Sequence, residues 1–187
     1  MGEATTMYIM IPQGIAREKA VQKADEVLMR HGAEMDTSND SLFFLGSGIY
    51  ADSHDELYLD EPQTITSKAD IMRQLIEWPT MGCIDYHGEG GYFNLAFDAL
   101  PTQTVTCISI GIDWSRSFSA DETIQAWYQK VGLELHQSFE AKRSFMTWGL
   151  NLMNDFSILE ELARLQKGIV DSSFSFDYFD WVEESIR

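Results

Sequence analysis

The stretch Cys83-Ile84-Asp85-Tyr86-His87-Gly88-Glu89-Gly90-Gly91-Tyr92-Phe93-Asn94-Leu95-Ala96-Phe97 decides the fold. Strand-forming residues run up to a glycine-rich break and resume beyond it, the pattern of two strands joined by a tight hairpin. The residues around Pro101 then turn the chain into Val105-Thr106-Cys107-Ile108-Ser109-Ile110-Gly111-Ile112, a third run of the same kind. The reading is an antiparallel meander of three strands over Gly82–Ile112.

Toward the N-terminus, Thr6–Ile11 is a short β-prone run that Pro12-Gln13-Gly14 is expected to close with a turn. A helix is predicted over 16–31, because Val21, Ala24, Val27, Leu28 and His31 fall on one stripe and Gly32 offers a left-handed stop. Leu42–Leu45 reads as a strand, and the acidic segment Asp52–Pro62 as a loop in which Leu57 and Leu59 are spaced like a short strand. A second helix is predicted over 67–78, with Ser67 and Asp70 as a weak capping box, Ile71, Leu75, Ile76 and Trp78 inward, and Pro79 as the stop.

Beyond the meander, Ser119-Ala120-Asp121-Glu122 has the form of a capping box with Ser119 at the cap. It opens a helix over 120–141 whose inner stripe is Ile124, Trp127, Tyr128, Val131, Leu135 and Phe139. Phe145–Trp148 reads as a strand, 155–167 as an amphipathic helix ended by Gly168, and Ser173–Tyr178 as a half-buried strand. Asp180–Arg187 closes as a helical turn. Strands and helices are mixed rather than strictly alternating. The expected class is therefore α+β: a mixed sheet with the meander, packed against amphipathic helices, as one domain over residues 1–187.

Composition agrees with a folded chain, since 44% of the 187 residues are hydrophobic, enough for a substantial core. No apolar run approaches the roughly 20 residues that span a bilayer. The polar, acidic start Met1-Gly2-Glu3 does not resemble a secretory signal, so a cytoplasmic location is expected. Cys83 and Cys107 sit in apolar runs, where two reduced thiols are the expectation unless their strands are neighbours.

Charge is the strongest signal: thirty acidic against thirteen basic residues, a net charge of −17. From His31 to Ser67 there is no Lys or Arg but eight acids, and from Gln74 to Ser115 again no base and five acids. Direct binding to nucleic acid or to an anionic membrane, which relies on Lys and Arg, is not expected. A basic protein is the partner that such a charge favours. Acidity also serves solubility alone, and that reading competes with the first. The densest and least structural acids, Asp52, Asp55, Glu56, Asp60 and Glu61, are the candidate partner contacts.

Catalytic signatures are sparse. Gly46-Ser47-Gly48 lacks the Lys-Ser/Thr of a P-loop and the third glycine of a dinucleotide fingerprint, and no nucleophile elbow or His-Glu-x-x-His is present. His54 lies among Asp52, Asp55 and Glu56, but without the ligand series of a calcium loop. Asp85-x-His87-x-Glu89 is the one spacing with chemical potential. Residues two apart on a strand share a face, where two carboxylates and an imidazole suit a divalent metal or acid–base work. Against it, Glu89 falls in the turn. The run Asp171–Glu184 also mixes acids with Phe174, Phe176, Tyr178, Phe179 and Trp181, suiting either an interface or a core strand.

The leading expectation is an acidic cytoplasmic protein, without cofactor, that neutralises or regulates a basic protein partner. By analogy of charge and size it is like immunity proteins or protein mimics of nucleic acid. The alternatives are a structural or regulatory domain acting through homo-oligomerisation, or a metal or acid–base enzyme using Asp85 and His87.

Overall fold

The computed structural model describes residues 5–45, 59–60, 64–78, 81–100, 104–112, 121–148 and 173–178. The elements in chain order are β1 (Thr5–Ala16), α1 (Arg17–Arg30), β2 (Glu34–Met35), β3 (Leu42–Leu45), β4 (Leu59–Asp60), α2 (Lys68–Glu77), β5 (Gly82–Gly88), β6 (Gly91–Leu100), β7 (Thr104–Ile112), α3 (Glu122–Ser138), β8 (Arg143–Trp148) and β9 (Ser173–Tyr178). The nine strands form one sheet in the order β4-β3-β5-β6-β7-β1-β8-β9, with β2 also paired to β5. The fold is α+β. The sheet is mixed, because β8 and β9 run parallel while the other pairs are antiparallel.

The meander read from the sequence is β5, β6 and β7, with Asp85 opposite Asn94 and Leu95 opposite Ile110. Its hairpin places Glu89 and Gly90 between Gly88 and Gly91, and Gly91 takes the left-handed conformation (φ 83°). The N-terminal run differs from expectation. Pro12-Gln13-Gly14 does not end β1; the strand continues to Ala16, and its register against β7 shifts between Met10 and Ile15. A bulge accommodates a proline without an N–H in a strand whose pairing with β7 resumes beyond it, at Ile15. Gly14 serves it twice, by its φ of 69° and by lacking a Cβ that would collide with Thr104 Cγ2.

Alternation on the strands sets one face of the sheet against the helices. Met7, Ile9, Ile11, Ile84, Tyr86, Phe93, Leu95, Phe97, Ile108, Ile110 and Met146 share a core with Val21, Val27, Leu28, Ile71, Leu75, Tyr128, Val131 and Leu135. Helix α1 ends as predicted: Gly32 (φ 74°) is left-handed, the Ala33 N–H donates to the Leu28 carbonyl and the Gly32 N–H to that of Met29. Helix α2 begins on Ser67, whose Oγ accepts from the Asp70 N–H at 3.2 Å.

Helix α3 corrects the sequence reading at both ends. Its cap is Asp121, not Ser119, because the Asp121 carboxylate accepts from the N–H groups of Thr123 (2.8 Å) and Ile124 (3.3 Å). It ends at Ser138, short of Ala141, with Glu140 left-handed (φ 50°) and the Ala141 N–H donating to the His136 carbonyl. This is the same terminating motif as in α1, built without a glycine and so not legible as a stop. The predicted helix over 155–167 and the closing turn over 180–187 lie outside the described residues.

Two charged clusters tie the helices to the sheet and to each other. Asp25 is 7% exposed, meets Lys68 Nζ at 2.8 Å and accepts from the Tyr86 hydroxyl at 3.0 Å. Burial first, then the nearby Asp25 charge, pushes the Tyr86 phenol well above its ordinary value, so it stays a neutral donor. Arg30 and His31 at the end of α1 hold Glu134 of α3 (2.5 and 2.6 Å), and these hydrogen bonds, Arg30 first, hold the Glu134 carboxyl below its usual range.

Burial also lowers the pKa of His136, whose Nδ1 lies 2.8 Å from Ser144 Oγ. The folded chain thus resists a proton that the unfolded chain accepts near pH 6.5. Below that pH the unfolded state binds more protons, so this contribution is present at neutral pH and lost as pH falls. Urea midpoints measured from pH 7.5 down to pH 5 are expected to decline, and to decline less steeply in His136→Gln; equal slopes would contradict the assignment.

Candidate interaction surface

The second face of the sheet changes character along its width. Around β1 it is buried: Tyr8 and Met10 are 0% exposed, Phe145 2% and Ser109 2%. Toward β5 it opens. Cys83, Asp85, His87 and Asn94 are half-buried, while Phe43 is 38% and Tyr92 63% exposed. Register lines these residues up across the strands. Glu34 of β2 faces His87 of β5, which faces Tyr92 of β6; Phe43 of β3 faces Cys83 and then Ala96. The His87 and Tyr92 rings meet edge-on, with centroids 5.8 Å apart.

The same pairings join the two base-free runs. The Asp36 N–H donates to the Asp85 carbonyl and the Asp85 N–H to the Ser41 carbonyl, each at 2.9 Å, so the loop from Asp36 to Ser41 lies along β5. Glu34, Asp40 and Glu89 are exposed there, and Asp36 and Asp85 half-buried. On the helices, by contrast, acids meet bases: Asp70 and Glu77 with Arg73, Glu134 with Arg30, Asp25 with Lys68. Among the described residues, Glu34, Asp40 and Glu89 are thus exposed acids on a corner, β2–β3–β5–β6, whose strands carry no base.

The hairpin that carries Tyr92 is fixed from the helix side. Tyr128 donates its hydroxyl to the Gly90 carbonyl at 2.9 Å, and Trp127 Nε1 donates to the His31 carbonyl at 2.9 Å. Gly90 lies so close to the Trp127 ring that a Cβ would overlap it, and a Cβ on Gly88 would come within 3.0 Å of the Ala33 Cα. Gly90→Ala is accordingly expected to cost about 1–3 kcal/mol, read from urea denaturation, as overpacking of a tight contact does.

The sequence-derived sites fare unequally. Asp85 and His87 share the open face, as alternation requires. Glu89 stands in the turn, and among the described residues no three His, Cys, Asp or Glu side chains come together as a metal site. Of the candidate partner contacts only Asp60 belongs to the described residues, as the β4 residue opposite Phe44; Asp52, Asp55, Glu56 and Glu61 lie outside them. His54 and the Gly46-Ser47-Gly48 run also lie outside.

Cys83 and Cys107 form no disulfide. Strand β6 separates β5 from β7, so their Cα atoms are about 10 Å apart, beyond the ~7 Å limit for a bridge. Sequence reasoning missed β2 and the exposed Phe43 and Tyr92, since a strand of two residues carries no period and exposure is not written in residue type. Among the described residues no helix is long and apolar enough to cross a membrane. Comparison with known protein families, curated proteins and solved structures finds no match for this chain.

Nothing in the packing of the fold requires the exposed side chains of this corner. Tyr92→Ser and Glu89→Gln are each expected to change the unfolding free energy by less than about 1 kcal/mol. The neighbouring Phe93→Ala, 1% exposed and ringed by Tyr86, Trp127 and Tyr128, should cost about 3–5 kcal/mol. Equilibrium denaturation of the three variants separates the two sets.

Proposed function

We propose that the chain is an acidic binding protein that neutralises or regulates a basic protein partner, in the manner of immunity proteins or protein mimics of nucleic acid. The observation that carries this reading is the pairing of β2 and β3 with β5. It lays two base-free segments side by side and leaves Glu34, Asp40 and Glu89 exposed at one corner. Strand β4, with Asp60, joins the sheet beyond β3 on the same side.

Acids gathered there steer a cationic surface into encounter and pair with its Arg and Lys on contact. The work belongs in the cytoplasm, where thiols such as Cys83 and Cys107 stay reduced.

The test is a charge reversal read against salt. The parent chain should capture a basic partner from its host at low salt, with an association rate that falls steeply as ionic strength rises. The triple variant Asp52→Lys, Asp55→Lys, Glu56→Lys should keep its circular dichroism spectrum and unfolding midpoint while losing at least about a hundredfold in affinity. Equal affinity of parent and variant across the salt series would assign the acidity to solubility and end the proposal.

A further inference from the structure

The geometry points to Tyr92 as the aromatic seat of an arginine side chain of the partner, on the open sheet face formed by β2, β3, β5 and β6. This rests on the acidic-binding reading above and names its recognition chemistry. Tyr92 is 63% exposed on a strand whose next residue, Phe93, is 1% exposed, so its ring stands on the outer face of the sheet. His87 meets it edge-on at 5.8 Å. Glu34 lies next in the same cross-strand row, Glu89 in the adjoining turn and Asp85 in the neighbouring row, with Phe43 further along the face on β3.

An exposed aromatic with acids on the neighbouring strands and turn selects among cations. A guanidinium is planar and weakly hydrated, stacks on a ring and donates from its edge to a carboxylate at the same time; an ammonium is a compact, strongly hydrated point charge. Tyrosine and arginine are also the side chains most enriched where interfaces concentrate their binding energy.

Charge complementarity fixes the class of occupant. A second copy would bring the same −17 and the same acidic corner, which like-charge repulsion disfavours, and nucleic acid is opposed on the same ground. The nearby bases do not cancel the field, since Arg30 is held by Glu134 and Lys68 by Asp25. A basic protein surface presenting arginine is what remains.

Two short synthetic peptides test this on the full chain at low salt, one alternating arginine with serine and its counterpart with lysine in place of arginine. Calorimetry should give about tenfold tighter binding for the arginine peptide, with amide shifts at Tyr92 and His87 by nuclear magnetic resonance. Tyr92→Ala should bring the two peptides to near parity, and Tyr92→Leu, which keeps apolar area on the strand, should do the same. Glu34→Gln with Glu89→Gln should weaken both peptides alike. Equal binding of the two peptides to the parent, or a preference that survives in both Tyr92 variants, overturns the arginine seat and leaves the acidic reading standing. Failure of both peptides to bind the parent at low salt overturns both.

Discussion

Strand β1 is the constraint on which the sheet depends. It lies between β7 and β8, paired antiparallel to both, and all five residues from Met7 to Ile11 are at most 1% exposed. A strand buried on both faces gains the full hydrophobic effect but loses the polar–apolar alternation that ordinarily fixes register. In such a strand a one-residue slip exchanges one set of apolar side chains for another. The bulge at Pro12–Gly14 supplies the missing information. It admits a left-handed Gly14 against Thr104 and fits a proline without an amide donor, and neither condition survives a shift of one residue.

Away from β1 the logic inverts. At β5 each inward residue (Gly82, Ile84, Tyr86) alternates with a half-buried outward one (Cys83, Asp85, His87). Polar side chains are tolerated on the outward face because it opens toward solvent. Asp25, Asp70, Glu77 and Glu134 on the helices find bases one turn away or on the adjacent helix, whereas the segments paired around β5 contain no base. Strand pairing between distant segments thus gathers the base-free strands β2, β3, β5 and β6 at one corner of the described sheet. No local property of either run would accomplish it.

How much of this was legible follows from how local each cause is. The hairpin at Glu89-Gly90, the stripes of α1 and α3 and the cap at Ser67 depend on neighbours within a few residues, and the sequence shows them. The capping-box spacing points to Ser119; the dihedrals of Asp121 and the two N–H groups that its carboxylate accepts from put the cap two residues later. The end of α3 was hidden because Glu140 adopts a conformation that residue type disfavours. Pro12 misled because proline ordinarily marks a turn, and only the resumption of pairing with β7 at Ile15 converts it into a bulge. At the candidate surface, the shared face of Asp85 and His87 was readable from alternation. The approach of Glu34 was not, since it depends on a two-residue strand pairing across more than fifty residues of sequence.

The helix side of the hairpin bears on what its outer side can do. Gly90 is pressed against Trp127 and its carbonyl is taken by Tyr128, while Trp127 is itself tied to His31 at the end of α1, where Arg30 and His31 hold Glu134. The turn before Tyr92 is therefore anchored to two helices through buried rings. A partner docking there would not have to order a loose loop, so little conformational entropy would be lost and more of the contact energy would appear as affinity. Long-range charge acts on the rate of encounter, and short-range aromatic contact acts on the rate of escape. A corner that joins an unneutralised acidic field to a preorganised ring separates those two controls, because the field extends over roughly the Debye length of about 8–10 Å while the ring acts only at contact.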